Sequence, residues 1–295
     1  MPERGGARAS VADALAVAAG RLTAGGVRDG RREATALWAA CAGVAPGEVW
    51  LGRGTAAADG VAGPFWDAVA RRASGVPFAY VVGRIGFRTL ELTLDRRALI
   101  PRPETEGLVE LVLRVARDGG HAPGGAAADI GTGCGCIALS LAVEGTFERV
   151  VAVERSAAAA ALARENVALV RPATPVVVRE GDGLAPLGAE RFRVIVANPP
   201  YLSTAEYAAL DGAVRHFEPR VALESGPDGL DATRSLLAGA AARLDPGGLL
   251  ALEIDERRAD AVRRLAGEWG WRRTAIHEDL FGRPRYALLF PGDDR

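Results

Sequence analysis

Two different periods of apolar residues divide the chain. Across residues 10–74, apolar positions recur at helical spacing and predict short amphipathic helices. Ser10 stands where an N-cap belongs, ahead of residues 11–23, and Gly25 and Gly26 follow as stop signals. The helical pattern continues over residues 33–41. Pro64 suits the first turn of a third helix, whose Phe65, Trp66 and Val69 form a stripe suited to a core. Between Pro77 and Leu94 the period falls to two: Phe78, Tyr80 and Val82, then Leu90, Leu92 and Leu94, with Gly83 and Gly86 between them, predict a β-hairpin. A helical stripe follows at Leu108, Leu111, Val112 and Val115. Beyond a glycine-rich break at residues 119–125, short apolar runs at 126–130, 150–153, 176–178, 194–197, 249–254, 273–277 and 286–290 alternate with helical stretches. That alternation predicts an α/β domain with a mainly parallel sheet. The expected organisation is a helical domain at 1–76, a hairpin linker at 77–98 and an α/β domain at 99–295.

Composition narrows the function. With 295 residues and 49% hydrophobic content, the chain can fill a substantial core. Its 36 basic residues, all arginine, balance 37 acidic ones. No net field therefore draws it to nucleic acid or to an anionic membrane, and a protein-binding enzyme fits better. The absence of lysine, with so much alanine and glycine, reads as genomic base composition. Three cysteines (Cys41, Cys134, Cys136) cannot build a disulfide framework, and His121, His216 and His277 show no metal-ligand spacing. A reducing cytoplasm is the expected setting. The amino terminus MPERGGARAS lacks the apolar stretch of a signal peptide, no run is long enough to cross a bilayer, and a monomer is expected.

Candidate chemistry begins where the apolar run 192–197 stops, at Asn198-Pro199-Pro200-Tyr201. Ligands of open α/β sheets bind at the carboxyl ends of strands, so an asparagine there is placed to touch substrate. The two prolines restrict the backbone and aim its carbonyls. An amide oxygen beside a fixed carbonyl is a paired acceptor for a planar –NH2 group, of an amide or of a base, with the Tyr201 ring available for its flat face. Taken alone, the four residues also suit a simple Pro-Pro turn.

A second constellation lies upstream. Asp129-Ile130-Gly131-Thr132-Gly133-Cys134-Gly135-Cys136 joins the first strand of the α/β region to a helix, and its glycines let backbone approach a ligand closely. It lacks the lysine and hydroxyl residue of a phosphate loop. Cys134 and Cys136 read as small loop residues. Glu154 closes the next strand, where doubly wound folds place an acid for ribose hydroxyls. Asp182 and Gly183 follow the third strand, where a carboxylate can accept from an adenine amine, although the stretch also reads as a turn. Order decides: a nucleoside-cofactor site converges on an amine-handling loop.

With these residues the chain resembles the class I S-adenosylmethionine-dependent methyltransferases, and within them the HemK/PrmC family of release-factor glutamine methyltransferases. The motifs that carry the resemblance are LIPRPETE from Leu99, DIGTGCGCIALSLA from Asp129, NPPYLSTAEY from Asn198 and HFEPRVALESGPDGL from His216. It implies a Rossmann-like seven-stranded catalytic domain, preceded by a helical domain that docks the release factor and by a hairpin linker. S-adenosylmethionine is the implied cofactor, with no metal, and the implied substrate is the glutamine side chain in the Gly-Gly-Gln loop of class I release factors. Asp129, Gly131, Thr132, Gly133, Cys134, Gly135, Glu154, Asp182, Gly183 and Asn198 are the implied cofactor site, and Asn198, Pro199, Pro200 and Tyr201 the catalytic set. Two positions depart from the family: Glu154 stands where Asp is commoner, and Gly183 where an aromatic is common. Three rival readings remain: a glutamine methyltransferase of a ribosomal protein, a nucleic-acid amine methyltransferase, and a non-catalytic adaptor with a vestigial cofactor fold.

Overall fold

The computed structural model describes residues 9–118 and 124–292. Most of the glycine-rich break, with His121, lies outside them. The chain divides into two compact units, Met1–Gly83 and Arg84–Arg295.

The first unit is helical. Helix α1 (Val11–Ala24) begins at a capping box in which Ser10 Oγ accepts from the Asp13 amide and the Asp13 carboxylate accepts from the Ser10 amide. Helix α2 (Gly30–Ala42) ends at Gly43 in the left-handed region. A short α3 (Pro46–Gly52), unforeseen by periodicity, precedes α4 (Asp59–Ala73). Pro64 therefore lies inside α4 and in the fourth helix, contrary to the expectation of a first-turn proline in the third. Its missing N–H costs the helix one backbone bond, at an exposed position, which burial of Phe65, Ala68 and Val69 elsewhere on the helix outweighs.

The expected strand through Phe78, Tyr80 and Val82 is also corrected. Residues Phe78–Val82 form one helical segment, α5, set by Pro77 before it and closed by Gly83 at φ +78°. Consecutive Tyr80 and Val81 are both buried, which a strand with one covered face does not allow.

The second unit opens with the two-stranded hairpin β1 (Arg84–Phe87) and β2 (Leu90–Thr93), shorter than the period predicts. Helix α6 (Pro103–Asp118) leads into the alternating part: β3 (Ala126–Ile130), α7 (Cys136–Glu144), β4 (Arg149–Glu154), α8 (Ala157–Val170), β5 (Val176–Glu180) and β6 (Phe192–Ala197). The short helices α9 (Thr204–Ala208) and α10 (Gly212–Phe217) and then α11 (Asp231–Gly239) precede β7 (Leu244–Glu253), α12 (Ala259–Glu268), β8 (Arg273–Glu278) and β9 (Pro284–Phe290). The strands form one seven-stranded sheet in the order β5-β4-β3-β6-β7-β9-β8, parallel through β7, with β9 antiparallel to both of its neighbours. Strands β3 and β6 lie side by side at its centre, so the loops that follow them open at the same edge. Their alanines, valines and isoleucines are buried, as central parallel strands covered on two faces require.

Asn166 of α8 ties the hairpin to this sheet. Its Oδ1 accepts from the Thr93 amide at 2.8 Å, and its Nδ2 donates to the carbonyls of Thr93 (2.9 Å) and Cys134 (2.8 Å). The side chain is fully buried and joins the hairpin to the glycine loop. Replacing Asn166 by leucine strands those three backbone groups, and a loss of about 3 kcal/mol is expected in denaturant unfolding.

Candidate active site

The site grows from the carboxyl ends of β3, β4, β5 and β6. After β3 the chain turns through Gly131, Gly133 and Gly135 at φ +76°, +57° and +89°, conformations that a side chain makes costly. A Cβ built on Gly131 meets no protein atom within 4 Å, because that face of the loop borders a cavity of about 790 Å³. Thr132, Gly133 and Cys134 line the same space, as do Glu154, Asp182, Gly183, Asn198, Pro199 and Pro200. Residues far apart in sequence thus share one wall.

Asp129 sits differently from expectation. It has no exposed surface and lies beneath the loop, where Oδ2 accepts from the Thr132 hydroxyl at 2.5 Å and from the Ala138 amide at 3.0 Å. It props the loop and the start of α7 and does not line the cavity. Its Oδ1 has no partner among the described residues, and burial pushes the carboxyl up to about 7. The hydrogen bond with Cys134, and then burial, raise the Cys136 thiol well above its ordinary range, which leaves it a poor nucleophile.

Glu154 spans the turn after β4. Its Oε2 accepts from the Gly133 amide and its Oε1 from the Ser156 amide, both at 2.9 Å. A carboxylate has about four acceptor positions, so two remain for a ligand's paired hydroxyls. Asp182 lies farther along the wall with its side chain 82% exposed, an acceptor open to a ligand amine. The open glycine face and the two spaced carboxylates fit a nucleoside with a ribose diol and an adenine amine, as S-adenosylmethionine has.

Asn198 follows β6 and donates from Nδ2 to Thr105 Oγ1 at 3.0 Å, and the Thr105 hydroxyl donates to Glu253 Oε2 at 2.7 Å. Thr105 and Glu253 are each 2% exposed. Tyr201, expected in the catalytic set, is not among the residues that line the cavity, and its phenol is pushed up to about 12 by burial and then by the Glu253 carboxylate. The long motif from His216 serves as a frame. Leu202 and Thr204 hydrogen-bond through their amides to Leu223 and Gly226, and Ser225 donates back to Leu202. A Cβ on Gly229 would meet the Tyr201 carbonyl oxygen at 2.3 Å, so only glycine lets this loop close on NPPY. Glu218, 5% exposed, takes Arg102 at 2.7 Å and the Ile100 amide at 3.3 Å, which binds the same motif to LIPRPETE. Sequence reasoning left Thr105, Glu218 and Glu253 without a role. Thr105 and Glu218 lay within motifs already noted, whereas nothing local marked Glu253.

Burial raises Glu253 to about 7 against the pull of its Thr105 hydrogen bond. In the unfolded chain such a carboxyl ionises near 4.5. Between these values the folded state holds a proton that the unfolded state has released, so this stabilisation is complete at low pH and is lost as pH rises through the folded value. Asp129 acts in the same direction. His277, lowered by burial, acts in the opposite one. The melting temperature of Glu253→Gln is therefore expected to fall less than that of the unsubstituted protein between about pH 5.5 and about pH 8, in parallel thermal scans.

Among the described residues no group of three or more side chains gathers as metal ligands, and no helix is long and apolar enough to cross a membrane. Residues 13–83 match the PrmC N-terminal domain and residues 111–217 the Methyltransferase small domain. Among solved structures, the hMettl16 catalytic domain aligns with a TM-score of 0.56 at 16% identity, covering 77% of this chain and 83% of that one, a likeness of fold alone. The release factor glutamine methyltransferase of Xylella fastidiosa is 45% identical over 224 residues, 76% of this chain and 80% of its own. That of Deinococcus radiodurans is 43% identical over 222 residues, 75% of this chain and 77% of its own. The enzyme of that name from Moorella thermoacetica is 43% identical over 280 residues, 94% of this chain and 97% of its own. With identity of that order along nearly its whole length, the chain belongs to the release factor glutamine methyltransferase family.

Proposed function

We propose that the protein transfers a methyl group from S-adenosylmethionine to the side-chain amide nitrogen of the Gly-Gly-Gln glutamine of class I peptide chain release factors, acting as a cytoplasmic monomer. The observation that carries this reading is Asn198 on the wall of the cavity that the glycine loop borders, with its nitrogen already committed to Thr105. Its oxygen is left as an acceptor. The glycine loop holds the methionine part of the cofactor, Glu154 the ribose, and Asp182 with Gly183 the adenine end.

Bound S-adenosylmethionine supplies an electrophilic methyl group, whose bond to sulfur breaks with its electron pair as the substrate nitrogen forms the new N–C bond. An amide nitrogen is a weak nucleophile because its lone pair is shared with the carbonyl. Asn198 Oδ1 and the Pro199 carbonyl accept its two hydrogens and hold that lone pair in line. As the nitrogen becomes positive its N–H groups become stronger donors, so both acceptors bind the transition state more tightly than the ground state. One proton then leaves to solvent, and no strong base is needed. Orienting two bound reactants contributes roughly 7–11 kcal/mol in well-aligned cases.

The test is intact-mass analysis and peptide mapping of an unmethylated class I release factor after incubation with the protein and S-adenosylmethionine. One added methyl on the Gly-Gly-Gln glutamine is expected, and none when that glutamine is replaced. Transfer to a ribosomal protein or a nucleic acid in its place would overturn the reading.

A further inference from the structure

The two ends of an asparagine amide have nearly the same shape and opposite hydrogen-bonding character. Rotated by half a turn, Asn198 would fill the same space and set a donor against the donors of a substrate –NH2. We propose that Thr105 and Glu253 are positioning residues that fix which end of Asn198 faces the substrate, and so set the polarity of the amide site. This inference rests on the function proposed above.

The direction of each bond follows from counting protons. Thr105 Oγ1 carries one proton, and the 2.7 Å contact commits it to Glu253 Oε2. What Thr105 then offers Asn198 is a lone pair, and only the nitrogen end of the amide can donate to it, at 3.0 Å. The oxygen end is turned away, and among the described residues no hydrogen bond occupies it. Ionised, Glu253 can only accept from Thr105; protonated, it still accepts when its proton is on Oε1 and Oε2 stays an acceptor.

The three residues come from separate parts of the chain. Thr105 lies in the first turn of α6, Glu253 ends β7, and Asn198 follows β6, which pairs with β7 through Ala197 and Leu252. Burial of Thr105 and Glu253 keeps water from the contact between them, and the Asn198–Thr105 contact lies at the cavity wall. A valine at position 105 keeps the volume and removes the lone pair, which frees Asn198 to turn.

Two measurements test this. In side-chain amide NMR, with the Asn198 signals assigned by their loss in Asn198→Ala, the one amide proton bonded to Thr105 should be protected from exchange in the unsubstituted protein and in Thr105→Ser, and unprotected in Thr105→Val. In single-turnover methyl transfer, Thr105→Val should slow the step by between about tenfold and a hundredfold with cofactor affinity unchanged, and Thr105→Ser should restore it. Glu253→Gln, which keeps an acceptor, should retain most of the rate that Glu253→Leu loses. Added to Asn198→Ala, Thr105→Val should cost nothing further, because the residue it positions is gone. Equal protection in Thr105→Val, an unchanged rate, or an undiminished cost in the Asn198→Ala background would overturn the proposal. If Thr105→Val loses cofactor binding, the Glu253 pair carries the same comparison. No transfer by the unsubstituted protein would instead count against the function, and the NMR measurement would still decide the orientation.

Discussion

Asn198→Ala is expected to lower turnover by about two to three orders of magnitude, as loss of one preorganised polar partner does elsewhere. Cofactor affinity should change far less. In the proposed mechanism Asn198 meets the reacting nitrogen; in the structure it is joined through Thr105 to the buried Glu253, whereas Glu154, the carboxylate proposed for the ribose, is anchored separately on the Gly133 and Ser156 amides. The kinetic signature is a fall in kcat with little change in the dissociation constant for S-adenosylmethionine, because the lost contact strengthens only as charge develops on nitrogen. Asn198→Asp makes a sharper comparison. It keeps an oxygen, gives up the donor to Thr105, and adds a charge beside Glu253. Single-turnover rates with saturating cofactor, beside calorimetric binding, separate the two quantities. Near-normal turnover in Asn198→Ala would end the mechanism.

Glu154→Ala should have the largest effect on binding, weakening cofactor affinity by about a hundredfold or more. The substitution removes the acceptor assigned to the ribose and also leaves the Gly133 and Ser156 amides without their partner. Each stranded donor costs about 1–3 kcal/mol, and Gly133 belongs to the loop that borders the cavity. Recognition and loop shape therefore fail together. Asp182→Ala should cost much less, since that side chain is mostly in solvent and its contact with Arg155 is 3.9 Å. Calorimetric titration with S-adenosylhomocysteine gives both values without turnover. Equal losses in the two variants would contradict the assignment of the ribose to Glu154.

The family commonly has aspartate at the position of Glu154, and the structure shows what the longer side chain does here. It reaches both the amide of the glycine loop and the amide two residues downstream. Glu154→Asp is one methylene shorter, so a partial loss between that of alanine and none is the expected result.

Much of the site was legible in the sequence because its chemistry sits on local backbone features. Glycine in the left-handed region, proline after asparagine, and an acid at the end of an apolar run are all written in consecutive residues, and the alternation of short strands with helices fixes the edge at which they emerge. Strand positions 126–130 and 194–197 in particular follow from apolar runs too short for helices and too continuous for an exposed face. Only the tertiary structure decided what those features touch. Thr105 and Glu253 are 148 residues apart, Asn198 and Thr105 are 93 apart, and Arg102 and Glu218 are 116 apart. No period or propensity reports a contact at that range, because it depends on strand order and not on spacing along the chain. The same holds for Asp129, whose sequence position suggested the ligand and whose burial made it a prop for the loop. The segment at Phe78–Val82 shows the limit from the other side: five residues between a proline and a glycine satisfy either period, and the burial of Tyr80 and Val81 together settles it as a helix.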